Sequence, residues 1–241
     1  MGVILIDKRG KRKPPVRPRQ PDPACRAHGY RQRLPVPGTC ATLPHRLQPG
    51  TDLASFLAFC GSVRAASFNQ RVLDVFCDAV EAAGGDVTRI SLRDVAAPLY
   101  DGDLEDESGL PAGIERLRRA IAAHDGLIIG CPEYNGYMTP VLLNALNWAT
   151  RSAEATPDLG PFRNKLTVIT STSPGALGGM RASRELRTFL SGIGALVLPQ
   201  AFSVRSAFSA FDDAGALTDE RATVQAASIA GELIDMAERL G

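Results

Sequence analysis

Nothing in this chain approaches eighteen consecutive apolar residues, so no membrane-spanning helix can be drawn on it. Cysteine is scarce, five in 241 residues with no C-x-x-C pair, and there are only three histidines. That spacing supports neither a disulfide framework nor a zinc site, and it fits a reduced, cytoplasmic chain. Aromatic residues make up 6% of the sequence, and they do not interleave with its basic stretch. The stacking platform of a single-strand nucleic-acid binder is therefore missing. Neither G-x-x-x-x-G-K-[ST] nor a strand-borne G-x-G-x-x-G is present, which argues against a magnesium-bound triphosphate and against a pyrophosphate-bridged dinucleotide as residents.

What is present divides into two unequal parts. Residues 1–50 carry 11 Lys and Arg against 2 Asp and Glu, and 9 of the 17 prolines. A run such as Lys11-Arg12-Lys13-Pro14-Pro15 cannot bury enough apolar surface to offset chain entropy. Residues 1–50 are read as a disordered basic extension. No apolar segment follows its charges as in a secretory signal, and its prolines forbid the amphipathic helix of a transit peptide. A functionless tail is favoured over a charge-based tether. Residues 51–241, with 16 basic and 24 acidic side chains, are read as one domain, long enough for a buried core.

Within that domain short apolar runs alternate with longer stretches of helical period. Strands are expected at 55–60, 86–92, 126–131, 165–171 and 195–199. Helices are expected at 68–83, around Ile114 to Ile121, and at 140–151, 181–191 and 219–239. The acidic stretch 98–109 reads as a solvated loop. Five strands alternating with helices mean an α/β doubly wound parallel sheet with helices on both faces. Five strands favour the order 2-1-3-4-5, which places a ligand outside the carboxyl ends of strands 1 and 3.

Both of those ends are chemically unusual. After strand 1 come Gly61-Ser62-Val63-Arg64-Ala65-Ala66-Ser67-Phe68-Asn69. Glycine lets the chain turn sharply, while Ser62, Ser67, Asn69, the Arg64 fork and a helix N-terminus together suit a terminal phosphomonoester. The competing reading has Ser67 or Asn69 capping the helix and Arg64 as surface charge. After strand 3 come Pro132-Glu133-Tyr134-Asn135-Gly136-Tyr137, a turn whose amides and tyrosine ring suit a flat heteroaromatic ring. An ordinary exposed turn competes with that reading, but both loops fall where the topology puts a ligand.

These two motifs, with Leu143-Asn144-Ala145-Leu146-x-Trp148 and Ser173-Pro174-Gly175-Ala176-Leu177-Gly178-Gly179-x-Arg181, resemble the NADPH-dependent FMN reductase family. The resemblance spans essentially all of 51–241 and none of 1–50. It implies a flavodoxin-like fold, FMN as cofactor and NADPH or NADH as cosubstrate. It further implies a small-molecule electron acceptor and a homodimer or homotetramer. It puts the FMN phosphate on Ser62, Arg64, Ser67 and Asn69, the isoalloxazine edge against Pro132, Glu133, Tyr134, Asn135 and Gly136, and a further flavin contact on Thr172 and Ser173. No catalytic side chain and no metal ligand is assigned, because the cofactor carries the hydride chemistry.

Other residues read as structural. His124 suits a helix cap, Cys131 suits a small apolar strand residue beside the site, and Trp148 suits either core or subunit interface. The leading function is an FMN-dependent NAD(P)H oxidoreductase delivering electrons to a quinone, flavin, azo compound or metal oxyanion. A flavodoxin-like electron carrier and a non-enzymatic nucleotide-sensing protein are the alternatives. Because 1–50 should add nothing to the core, a chain that starts at Thr51 is expected to keep its melting temperature and FMN affinity. A fall of several degrees would move the domain boundary.

Overall fold

Phe56, Ala58 and Cys60 pack on one side of the first strand, while Leu57 and Phe59 pack on the other. This alternation, with no solvated face, is what a strand buried between two helical layers requires. The computed structural model describes residues 53–240, so the basic extension expected over 1–50 lies outside the described residues. The strand is β1 (Ser55–Cys60), followed by α1 (Phe68–Ala82), β2 (Asp86–Ser91), α2 (Leu92–Val95), α3 (Gly102–Ser108) and α4 (Ala112–Ala123). Next come β3 (Gly126–Gly130), the short strands β4 (Glu133–Tyr134) and β5 (Tyr137–Met138), and α5 (Pro140–Ala149). The chain closes with β6 (Leu166–Thr172), α6 (Met180–Gly192), β7 (Leu196–Val204) and α7 (Glu220–Leu240).

The main sheet runs β2-β1-β3-β6-β7 with every neighbouring pair parallel, which is the expected 2-1-3-4-5 order among its five strands. On one face, α1 and α7 bury Val72, Leu73, Phe76, Ile229 and Leu233 against Phe56, Ile128 and Val168. On the other, α4, α5 and α6 bury Ile114, Leu117, Leu142, Leu146 and Leu186 against Leu57, Leu127 and Ile169. Each fully buried side chain of this size contributes roughly 1.5–3 kcal/mol relative to exposure.

The edge strand β7 runs past the expected Pro199 to Val204, and its register against β6 shifts between Thr167 and Ile169. Proline has no amide to give the ladder, so it is confined to such an edge. Arg187 of α6 reaches the bulged backbone and donates to the carbonyls of Val197, Leu198, Pro199 and Gln200.

One part of the sequence reading is corrected. The acidic stretch is not a solvated loop, because residues 102–108 form α3 and Glu105 is 2% exposed. Glu105 receives the guanidinium of Arg151 at 2.8 Å and the phenol of Tyr100 at 3.0 Å. The Arg151 bond holds its carboxyl below the usual range despite the desolvation that opposes it. The turn after strand 3 closes a small hairpin of β4 and β5, which removes the competing reading of an ordinary strand-to-helix turn. Trp148, left open between core and interface, is fully buried; its indole donates to the Pro98 carbonyl at 2.9 Å and its ring meets Tyr100 edge-on.

The central strand β3 tolerates no side chain at its first position. A Cβ on Gly126 would lie 2.5 Å from the Leu166 carbonyl oxygen and 2.7 Å from the Phe56 ring. Gly126→Ala is therefore expected to cost about 1–3 kcal/mol, a fall in melting temperature of roughly 2–12 °C. In urea the midpoint should move down with the slope unchanged.

Candidate functional site

Gly61 continues the β1 ladder one step beyond the strand, its amide donating to the Gly130 carbonyl at 2.8 Å. The Thr139 hydroxyl donates to the Gly61 carbonyl at 2.6 Å. A Cβ on Gly61 would sit 2.8 Å from the Leu142 side chain, so only glycine lets α5 close against this corner. Past that point the chains diverge, and the crevice between them has a volume of about 350 Å³. Its lining is Gly61 to Arg64, Tyr134 and Thr139 to Val141, without a single carboxylate.

Ser67 is the N-cap of α1 and accepts from the Gln70 amide at 3.3 Å, while the Arg71 amide takes the Ser67 carbonyl. The amides of Phe68 and Asn69 precede the first intrahelical bond and stay open, as the first turn of any helix dictates. Ser62 offers its hydroxyl, whose only bond among the described residues is from the Arg64 amide at 3.4 Å. No carboxylate lies within ion-pairing distance of the Arg64 guanidinium among the described residues. Hydroxyls, first-turn helical amides and a guanidinium without a carboxylate partner among the described residues are donors of the kind that suits a phosphate; of these, Ser62 and Arg64 line the crevice.

In the hairpin that carries Tyr134, Asn135 and Gly136 have φ of 54° and 83°. Positive φ at both central residues is what a two-residue type I′ hairpin demands, and Asn-Gly supplies it at little cost. The hairpin holds Tyr134 with 61% of its surface exposed, a ring available as a wall to the crevice. Pro132, just before it, is buried.

Two of the side chains expected to meet a ligand, Asn69 and Glu133, are engaged within the protein, and a third, Thr172, is buried. The Asn69 amide clamps the Thr172 peptide, accepting from its N–H at 2.9 Å and donating to its carbonyl at 3.1 Å. The Thr172 hydroxyl is buried, with no hydrogen-bond partner among the described residues. The Glu133 carboxylate reaches α6, a helix with no capping side chain of its own, and accepts from the amides of Arg181 at 3.1 Å and Ala182 at 3.2 Å. It also receives the Arg181 guanidinium, with Nε at 2.9 Å. Burial pushes its pKa up, but Arg181 and the two amides together outweigh that and hold it low. Ser173 is half-buried, with its carbonyl bonded to the Ala207 amide at 3.1 Å.

The two thiols at the strand ends, Cys60 and Cys131, are buried, and desolvation pushes each up to about 12. Such thiols remain protonated and inert, as an apolar strand residue should be. His124 makes a capping contact, its Nδ1 lying 2.7 Å from the Ala120 carbonyl. Among the described residues no cluster of His, Cys, Asp or Glu could hold a metal ion, and no helix is long and apolar enough to cross a membrane.

The Glu133 contacts have a pH signature. A carboxylate whose native pKa is depressed contributes stability that is complete above its unfolded pKa, near 4.3, and is lost as pH falls through the native value. The stability difference between wild type and Glu133→Gln is thus expected to be largest near neutrality, on the order of 1–3 kcal/mol, and to shrink below pH ~4. Urea titrations at a series of pH values measure it.

Residues 54–209 match the profile of the NADPH-dependent FMN reductase family. An NAD(P)H-dependent FMN reductase of Pseudomonas aeruginosa is 35% identical over 175 residues, covering 71% of this chain and 89% of that protein. A quinone reductase of Escherichia coli is 36% identical over 139 residues, 57% of this chain and 70% of that one. Among solved structures, the flavoenzyme NAD(P)H:(acceptor) oxidoreductase of Paracoccus denitrificans shares the fold, with a TM-score of 0.65 at 24% identity over 78% of this chain and 98% of that one. With a match over residues 54–209 and the parallel sheet order described above, the chain belongs to the NADPH-dependent FMN reductases.

Proposed function

We propose that the protein is an FMN-dependent oxidoreductase that consumes reduced nicotinamide dinucleotide. The observation that carries this reading is the acid-free lining of the crevice at the carboxyl ends of β1 and β3, which holds Arg64, without a carboxylate partner among the described residues, and the exposed ring of Tyr134.

The residues fit the cofactor. The hydroxyls of Ser62 and Ser67, the Arg64 guanidinium and the main-chain amides at Phe68 and Asn69 would hold its doubly charged phosphate. The backbone of 132–136 and the Tyr134 ring would hold its ring system, with Ser173 beside it. When bound, FMN would supply the two-electron chemistry that links the dinucleotide to an acceptor. The protein's part is to bind, orient and exclude water; Asn69 and Glu133 act by bracing the loops that do so. No side chain is needed as acid or base for the hydride itself. The acceptor is a small molecule of the quinone, flavin, azo or metal-oxyanion class. Assembly as a homodimer or homotetramer is part of the same proposal; exposed Tyr134, Tyr137 and Met180, on the hairpin and the adjoining start of α6, support it. The buried free thiols suit a cytoplasmic setting.

Two measurements test this. Purified protein should be yellow, or become so with FMN, and should consume NADPH when quinone is in excess; a protein that cannot take up FMN overturns the reading. Consumption of NADPH also separates an enzyme from an electron carrier or a sensor. Arg64→Ala should weaken FMN about ten- to a hundredfold, since charge-assisted hydrogen bonds contribute on the order of 1.5–3 kcal/mol. Riboflavin, which lacks the phosphate, should bind wild type and variant alike.

A further inference from the structure

A cavity of about 710 Å³ lies against the carboxyl end of β2, α2 and α4. It is separate from the flavin crevice, and residues 62–64, which line both, form the wall between them. Nothing in the proposed reaction uses it. Its floor is apolar, contributed by Ile90, Val95, Leu117 and Ala120. A close approach of α4 to α2 fixes that floor, since a Cβ on Gly113 would collide with the Val95 carbonyl.

The rim is cationic, but only by a small margin. Arg64, Arg89, Arg93 and Arg116 line the cavity with one carboxylate, Asp94. Arg89 is offset by Asp78 at 2.7 Å and Glu81 at 2.6 Å. Arg64 stands on the shared loop and is assigned above to the flavin phosphate. That leaves Arg93 and Arg116, neither with a carboxylate at ion-pairing distance among the described residues. Both are oriented by backbone. Arg93 donates to the Val63 carbonyl, and Arg116 donates at 3.1 Å to the carbonyl of Asp94, the residue next to Arg93. A carbonyl partner orients a guanidinium without cancelling its charge, and each side chain keeps N–H groups to spare. Two such guanidiniums against the single Asp94 carboxylate leave one net positive charge, which matches a monoanion and not a phosphate dianion. Planar forks beside an apolar floor suit a carboxylate carried on a flat hydrocarbon body.

We propose that this cavity is a second ligand site, for a flat aromatic monocarboxylate. Its carboxylate meets the guanidiniums of Arg93 and Arg116, and its rings lie on Ile90, Val95 and Leu117. The volume admits a fused-ring compound, since cavities of roughly 300–1,000 Å³ hold ligands of that size. The ligand is neither flavin nor dinucleotide, and it binds without entering the crevice. Only the placement of Arg64 is taken from the flavin reading; the two oriented arginines and the apolar floor stand without it. A neutral analogue of the same shape leaves the oriented donors without an acceptor, so the site discriminates by charge.

The test uses the full chain with 2-naphthoate as probe and 2-naphthamide as its neutral control, by calorimetric titration with and without saturating FMN. Naphthoate should bind wild type about tenfold or more tightly than naphthamide. Arg116→Ala should weaken naphthoate about five- to tenfold and leave naphthamide nearly unchanged. Ala120→Phe fills the floor and leaves every charge in place, so it should weaken both compounds about tenfold or more. Melting temperatures of the two variants within about 3 °C of wild type show that they are folded. Saturating FMN should leave naphthoate affinity within about threefold. Equal binding of naphthoate and naphthamide by wild type overturns the proposal. So does naphthoate binding that neither substitution changes, and so does displacement of naphthoate by FMN, which would put the probe in the crevice. The two readings fail separately. A protein that takes up FMN but binds the two probes alike loses the second site alone. One that binds naphthoate through Arg116 but takes up no FMN loses the flavin reading alone.

Discussion

The hydrogen bond from the Gly61 amide to the Gly130 carbonyl is the last rung between the two central strands, and the site takes its shape from where that rung falls. One residue further along, the Cys131 amide turns to the Thr170 carbonyl of the next strand, so β3 leaves β1 and follows β6. The crevice opens at this parting, as the switch in strand order requires. Thr139 adds the return tie from α5 to Gly61, and Leu142 fills the space that a side chain at 61 would have taken. A ligand that enters here meets backbone held on both sides by buried strands, the rigid support that precise positioning needs.

The loops that leave this corner are braced by polar side chains reaching across long sequence separations. Asn69 and Thr172 are 103 residues apart, yet a side-chain amide matched to a peptide group joins the start of α1 to the end of β6. Glu133 closes the N-terminus of α6, where a carboxylate is favoured by the helix's positive end. Glu105 and Arg151 do the same for the segment before α4, with Asn144 donating to Pro98 and accepting from the Tyr100 amide. The bracing by Glu133 has an electrostatic consequence. The carboxylate nearest the hairpin is turned away and neutralised, so it does not repel a phosphate or an electron-rich ring in the crevice.

Periodicity carried the sheet, because a strand covered on both faces must be apolar throughout and a helix packed on one face must show a stripe. Glycine and Asn-Gly marked the turns for equally local reasons, which is why Gly61 and the 135–136 turn were legible. What was not legible is tertiary. Asn69 shows the same residue type whether its amide meets a phosphate or the Thr172 peptide. Glu105 looks like any residue of an acidic loop until Arg151 and Tyr100, from elsewhere in the chain, surround it. The length of β7 was hidden by Pro199, which usually ends a strand and here only interrupts one at the sheet's edge. The cavity rimmed by Arg93 and Arg116 had no sequence signal at all, since its two cations come from α2 and α4 and meet only in the fold.

Charge makes the same point about scale. Residues 51–241 carry eight more acidic than basic side chains, which taken alone would argue against an anionic ligand. Potential in a crevice is set by the few groups that line it, however, because low-dielectric walls focus their field while distant surface charges are screened within about 8–10 Å at ordinary ionic strength. The lining of the crevice includes Arg64 and no acid; that of the neighbouring cavity includes one acid, and three of its four arginines face no carboxylate among the described residues. Three nearby acidic residues are spent on partners, Glu133 on Arg181 and Asp78 and Glu81 on Arg89. An acidic domain thus presents two neighbouring positive recesses divided by residues 62–64, and it is the pairing of its carboxylates, more than their number, that leaves room for an anion.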